Sequence, residues 1–285
     1  ISMEAIEQLQ VAVAPYDVRQ GNFVGAGVNT VTKSGTNEMS AALYFQYRNQ
    51  GLVGKEVQGS PFDPGTFKYD RIGARLSGPG IRNKLFFFLN YEGDGLTEPG
   101  TTFKANAGSQ TVEKQTTRVL ASDLTTLSSF LGSKLNYQTG PFADYDHETP
   151  ATRILAKADY NLSDRHKLSL RYNHLDSRTD VLVSNSSSLG FGNSRSRLDA
   201  LNFQNSNYQI KENIRSIVGE WNAIIGSNKA NNLILGYTSH DESRDSRGEF
   251  FPFVDILKDG STYTSFGFEP FTPNNELRYS SLRLQ

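Results

Sequence analysis

Along most of this chain apolar and polar side chains alternate with a period of two, the repeat that a strand produces by pointing successive side chains to opposite faces. The pattern is cleanest over residues 69–91. Ile72, Ala74 and Leu76 share one side there, while Arg71, Gly73, Arg75 and Ser77 share the other. Gly78, Pro79, Gly80 and Asn83 are turn residues and predict an abrupt end to that strand. On the return, Leu85, Phe87, Leu89 and Tyr91 oppose Phe86, Phe88 and Asn90. Aromatic side chains beside a tight turn suit the interfacial girdle of a membrane β-barrel, and equally a hairpin of a soluble sandwich.

The spacing of the other segments separates these two alternatives. Strands are predicted at 39–48, 69–78, 84–93, 151–161, 166–176, 213–226 and 229–240, with an eighth beginning near Ser280. The short connections 78–83, 161–165 and 226–228 alternate with long ones at 49–68, 94–150, 177–212 and 241–279. A sandwich has no reason to gather every long loop at one end. An up-and-down outer-membrane barrel does, with short turns on the periplasmic side and long loops outside. The faces agree. Ile154, Ala156, Ala158 and Tyr160 oppose Arg153, Lys157 and Asp159, and Leu168, Leu170 and Tyr172 oppose Lys167, Ser169 and Arg171. Ile217, Trp221, Ala223 and Ile225 oppose Ser216, Glu220 and Asn222, and Leu233, Leu235 and Tyr237 continue the lipid face. Charges confined to one face are costly in a dry core and cheap in a wet lumen. The expected fold is an all-β, antiparallel, transmembrane barrel wall.

Two segments depart from the rhythm. Leu9, Val11 and Val13 alternate in a strand that Pro15 ends, and Val28, Val31 and Lys33 lie in another before a hinge at 34–37, which puts a domain boundary near Asn37. Leu120, Leu124, Leu127 and Leu131 recur at helical spacing, with Gly132 as the expected stop, so one helix is predicted inside the 94–150 loop. That loop helix is read as structural.

Composition narrows the class further. Thirteen Tyr and eighteen Phe against two Met, with no Cys, favour an all-β protein and exclude disulfides and thiol catalysis. A net charge of -1 with no basic run argues against nucleic acid. No apolar run approaches the ~20 residues of a spanning helix. The pattern begins and stops abruptly, so the chain is read as an internal piece of a longer protein; a free-standing eight-stranded barrel conflicts with the stub after Ser280.

The N-terminal segment resembles the end of the plug domain of TonB-dependent outer-membrane receptors of Gram-negative bacteria. The residues that carry the resemblance are Ile6, Glu7, Gln8, Leu9, Gln10 and Val11, then Pro15 and Gly21, then the run Gly25, Ala26, Gly27, Val28, Asn29, Thr30, Val31, Thr32, Lys33, Ser34, Gly35, Thr36 and Asn37. Ala14 stands where the family usually has glycine. The second half of this run is similar to the Oar-like branch, as are Leu76, Ser77, Gly78 and Pro79 and the stretch from Lys84 to Glu92. The resemblance implies residues 1–37 as the end of a plug and 38–285 as the first seven to eight strands of a 22-stranded plugged barrel. It also implies a plug–barrel junction at Gly27, Asn29, Lys33, Gly35 and Asn37, and a TonB-type energy-coupling protein as partner. Outer-membrane lipid is the other expected partner.

Site chemistry is read sparingly. Gly25 and Gly27 lack the third glycine of a dinucleotide loop, and 51–56 misses the spacing of a phosphate loop. His147, His166, His174 and His240 stand singly, so no metal is expected; Asp144, Asp146 and Glu148 are weak candidates for a hard cation, and a solvated charge run is the plainer reading. Asp241, Glu242 and Asp245 among Arg244 and Arg247 read as a self-compensating surface network. No cofactor and no enzymatic constellation are expected. Arg71, Arg75, Lys157, Arg171 and Glu220 face the lumen, where they line a path or, more simply, pair with the plug. Phe250, Phe251, Phe253, Tyr263, Phe266, Phe268 and Phe271 crowd the last long loop. Of these, Phe251, Phe253, Tyr263, Phe266 and Phe268 are ligand-gripping candidates, with packing onto other loops the favoured alternative. The expected function is a receptor and transporter for cargo larger than a simple ion, a peptide, protein or glycan. The alternative is a non-transporting outer-membrane scaffold or adhesin.

Overall fold

The structure, a computed structural model, describes residues 1–13, 26–61, 65–186, 195 and 197–285. Ala14, Pro15, Gly21 and Gly25, to which sequence expectations attach, lie outside the described residues. A single 3-10 turn at Met3–Ala5 leads into β1 (Ile6–Val13), which pairs antiparallel with β2 (Ala26–Thr32) to form an N-terminal hairpin. After the hinge come β3 (Ser40–Asn49), the two-residue strands β4 (Glu56–Val57) and β5 (Ser60–Pro61), and the long hairpin of β6 (Lys68–Ile81) and β7 (Leu85–Pro99). β8 (Lys104–Asn106), β9 (Thr116–Leu120) and helix α1 (Ala121–Leu135) occupy the next connection. β10 (Asp146–Ser163), β11 (His166–Val181), β12 (Tyr208–Ile225) and β13 (Lys229–Ser246) follow. A small hairpin of β14 (Val254–Lys258) and β15 (Ser261–Phe266) precedes the last strand, β16 (Glu276–Leu284).

Eight of these strands form one antiparallel sheet in the order β3, β6, β7, β10, β11, β12, β13, β16, so every strand lies beside its successor. The connections alternate short and long, which sends all long ones to the same end. The sheet is not closed on itself: β3 and β16 are its two edges. One face carries the apolar half of each alternation to the surface, with Leu43, Ile72, Leu89, Leu170, Ile217, Leu235 and Leu282 all exposed. A soluble sheet would bury such a face; a barrel wall shows it to lipid.

Several boundaries differ from the sequence expectation. β6 does not stop at Gly78 but runs through Pro79 and Gly80, and the turn is 82–84. Proline is tolerated there because β3 has ended opposite Ser77 and the pairing with β7 shifts register between Pro79 and Ile81. Asn83, at φ 62°, makes the turn. The strand predicted to end at 161 continues to Ser163. Strands also run further at the long-loop end: β10 begins at Asp146 rather than 151, β12 at Tyr208 rather than 213, and β16 at Glu276 rather than near Ser280. Asp146–Pro150 is polar on both faces, and in β12 and β16 the added apolar residues (Tyr208 and Ile210, Leu277 and Tyr279) fall on the face opposite the apolar stripe, yet the ladder continues through all of them. Gly132 does not stop α1. The helix runs to Leu135 and closes at Asn136 in the left-handed region (φ 52°), with the Tyr137 N–H reaching back to the Leu131 carbonyl.

The long loops are not separate. Val119, Leu124, Leu131, Tyr137, Leu201, Phe203, Tyr263 and Phe266, drawn from three of them, form one buried cluster, a cap at that end of the wall. Its polar groups are tied inside. Tyr263 Oη receives the Leu120 N–H (2.8 Å) and donates to Asp123 (2.7 Å), and Tyr137 Oη receives the Gly267 N–H (3.0 Å). Arg195, fully buried, forks onto Asp255 and donates to the Ser184 carbonyl, tying the third long loop to the fourth.

Candidate functional site: the polar wall face and the N-terminal hairpin

The face opposite the apolar one carries the charges, and there the N-terminal segment rests. Its hub is Glu92, whose side chain is 3 % exposed. Strand register lines up Tyr44, Gly73, Glu92 and Arg153 as directly opposed residues on β3, β6, β7 and β10. Tyr44 donates to Glu92 across the intervening strand (2.8 Å). Gly73 makes this possible, since a Cβ there would stand 2.0 Å from the Tyr44 ring. Ser2 donates its hydroxyl to the same Glu92 oxygen (2.8 Å). Arg153 bridges Glu92 (3.4 Å) and Asp94, and Arg71 approaches Glu92 at 3.9 Å.

Further along the face, the cations meet the hairpin. Arg75 lies 3.7 Å from Glu4, and Lys33 donates to the Glu4 carbonyl (2.8 Å). Lys157 donates to Ser34 (2.7 Å) and the Thr32 carbonyl (3.4 Å) and sits 3.7 Å from Asp159. A dry contact of Ala5, Phe88 and Leu155 fills the centre. Beside it a cavity of about 300 Å³ lies between Thr30 and Val31 of the hairpin and Arg171, Glu220 and Arg283 of the wall. Arg171 has no side-chain partner among the described residues, whereas Glu220 accepts from Asn222 and Asn232 (2.8 Å each). The N-terminal segment is thus held on the polar face by hydrogen bonds and one ion pair, with the Arg171 guanidinium left over beside it.

The expected junction residues divide. Gly27 and Asn29 are rungs of the hairpin, opposite Ala12 and Gln10. Gly35 and Asn37 fasten the hinge to the wall. A Cβ on Gly35 would meet the Phe87 carbonyl oxygen at 2.4 Å, and Asn37 exchanges two hydrogen bonds with Asn83 (2.7 and 2.8 Å). All five predicted lumen residues are on the polar face, but Arg71, Arg75 and Lys157 touch the N-terminal segment or its hub, and Arg171 and Glu220 line the cavity instead. Tyr44, Glu92 and Asp94 escaped singling out. The signal was present, since Glu92 continues the parity of Phe86, Phe88 and Asn90, where a carboxylate opposite Arg153 is conspicuous.

The aromatic loop residues turn inward. Tyr263 and Phe266 are inside the cap core, Phe251 stacks on Tyr137 at 4.1 Å, and Phe253 lies under Arg195. Phe268 packs against Phe250, which is itself 89 % exposed. Asp144, Asp146 and Glu148 do not converge: no group of three potential metal-binding side chains occurs among the described residues. The acidic and basic run at 241–247 is not self-compensating. Arg244 pairs with the buried Glu269 and Arg247 with Asp180, while Asp245 and Asp241 pair with Lys211 and Arg278. These four charges thus find their partners on other strands and loops rather than within the run.

Residues 31–110 match the family model described as the outer membrane beta barrel domain. No curated protein sequence matches. Among solved structures, the chain is similar to the outer membrane transporter YddB from Escherichia coli, at 9 % identity and a TM-score of 0.58. That likeness covers 97 % of this chain and 31 % of the transporter's, so the chain spans about a third of the structure it resembles. At this identity the likeness is one of fold: a run of consecutive strands from a barrel wall. Domain match and wall together place the protein in the bacterial outer membrane.

Proposed function

We propose that this chain is part of a TonB-dependent receptor and transporter of the Oar-like branch. Residues 1–37 are the end of its plug and 38–285 the first eight strands of a 22-stranded barrel. The observation that carries this reading is the N-terminal segment seated on the polar face through Glu92, Arg75 and Lys157. The segment is held by hydrogen bonds to Glu92 and Lys157 and by one ion pair, Arg75 with Glu4, contacts that exchange with water more readily than an apolar one. The substrate docks at the cap and plug, the plug is remodelled from the periplasmic side through the energy-coupling protein, and cargo passes along the polar face. Binding rather than bond chemistry does the work, with no cofactor. A peptide, protein or glycan is the cargo class.

The packed cap favours one second reading, a non-transporting scaffold or adhesin, because its aromatic residues serve an internal core more than an open mouth. Uptake of labelled peptides, proteins and glycans by cells expressing the full-length protein separates the two. Loss of uptake on deleting the energy-coupling protein supports the transporter; uptake indifferent to that deletion, or none of any cargo, contradicts it.

A further inference from the structure

We propose that the apolar face of β10–β13, at its short-turn end, holds an anionic glycerophospholipid of the inner leaflet, one acyl chain in a dent over Gly219 and the phosphate on the turn cations. Two neighbouring rungs build the dent. Ala158, Leu170, Gly219 and Leu235 are directly opposed across four strands, and Tyr160, Leu168, Trp221 and Leu233 form the next rung toward the turns. The hollow has a volume of about 360 Å³ and is almost wholly apolar. It exists because two wall positions carry small side chains, and a Cβ added at Gly219 would meet nothing within 4 Å. On a lipid-facing wall such a gap is filled by a chain, because leaving it empty forfeits dispersion contacts on every side.

The turn side of the dent is bounded by aromatic side chains in fixed positions. Trp221 Nε1 donates to His166 Nδ1 (3.3 Å), and the rings stack at 5.8 Å with an 18° tilt. With Nδ1 accepting, the neutral imidazole carries its proton on Nε2, a donor of the kind a headgroup ester or phosphate accepts. Beyond this layer the short turns and their flanks, 82–84, 164–165 and 226–229, carry Arg82, Lys84, Arg165 and Lys229 against Asp164 alone. None of these four cations has an ion-pair partner among the described residues. Arg165 and Lys229 flank the foot of β12, where the Ile224 N–H meets the Arg165 carbonyl and Ile225 faces Lys229. Four residues separate Trp221 from the Lys229 rung, roughly 10 Å on a tilted strand, so a phosphate at the cations leaves its acyl chain at the dent. Basic charge and apolar hollow are the two halves of one anionic lipid, and the site depends on the outer-membrane location alone, not on transport.

Native mass spectrometry of the full-length protein in mild detergent, with added phosphatidylglycerol or phosphatidylethanolamine, tests this. Phosphatidylglycerol adducts are expected to survive at collision energies that strip phosphatidylethanolamine. Arg165→Gln with Lys229→Gln should weaken phosphatidylglycerol binding by about fivefold per cation removed, about twenty-five-fold together. Gly219→Leu, which fills the dent without touching a charge, should weaken binding of both lipids, while Ala41→Leu elsewhere on the apolar face should weaken neither. Equal retention of the two lipids, or binding indifferent to these variants, would overturn the proposal. So would a species of two protein copies that Gly219→Leu abolishes, since the dent would then be a contact between copies.

Discussion

The wall and the cap are built from the same residue types under opposite rules. In the wall, Leu43, Leu170 and Leu235 are exposed while Glu92 is buried among Ser2, Tyr44 and Arg153. In the cap, Leu124, Phe203 and Phe266 are buried, and the helix turns its polar side out. The cap follows the rule for a domain in water; the wall inverts it because its outer solvent is hydrocarbon. Apolar side chains therefore stabilise the cap through packing and the wall through lipid contact, and substitutions should separate the two.

The largest expected effect is Phe203→Ala. A fully buried aromatic removed from the cap core should cost about 3–5 kcal/mol there. Hydrogen exchange should accelerate at 100–145 and 247–275, with the eight-stranded sheet unchanged. Leu170→Arg, in mid-wall, should cost about 2–4 kcal/mol in urea titrations of the protein folded into lipid, and leave the cap's exchange untouched. Glu92→Ala should cost about 1.5–3 kcal/mol, since Asp94 still pairs Arg153 while Ser2 and Tyr44 lose their acceptor. Its signature is faster proteolysis of the N-terminal hairpin with the wall intact. The smallest effect is alkaline. Burial holds the Tyr137, Tyr145 and Tyr263 hydroxyls above their usual pKa. Their contribution is complete below the unfolded value near 10 and is lost as pH rises through the higher folded values, so near-ultraviolet circular dichroism should report loosening of the cap above pH ~10.

The wall was legible in the sequence because lipid on one side and water on the other force strict alternation, as in Leu168, Leu170 and Tyr172 against Lys167, Ser169 and Arg171. Strand ends beyond the apolar band were not legible. At Asp146–Pro150 both faces are polar, and at 208–212 Tyr208 and Ile210 fall on the face opposite Ile217 and Trp221, so backbone pairing continues where the apolar stripe does not. The cap was the least legible. Its core joins Leu124, Leu201 and Tyr263 over long sequence separations, and aromatic residues in a loop read the same whether they await a ligand or each other. In the candidate site, parity revealed which charges share the polar face, but the Tyr44–Glu92 contact depends on the glycine between them, which no alternation marks.

The inverted wall is tested most directly by single cysteines, a residue type absent from positions 1–285. Lys167, Leu168, Ser169, Leu170, Arg171 and Tyr172 would each be replaced by cysteine in the full-length protein, spin-labelled and reconstituted in bilayers. The prediction is a period-two profile, with labels at 168, 170 and 172 relaxed by oxygen dissolved in lipid and those at 167, 169 and 171 by a water-soluble nickel complex. A flat profile, or one shifted by a single residue, would contradict it.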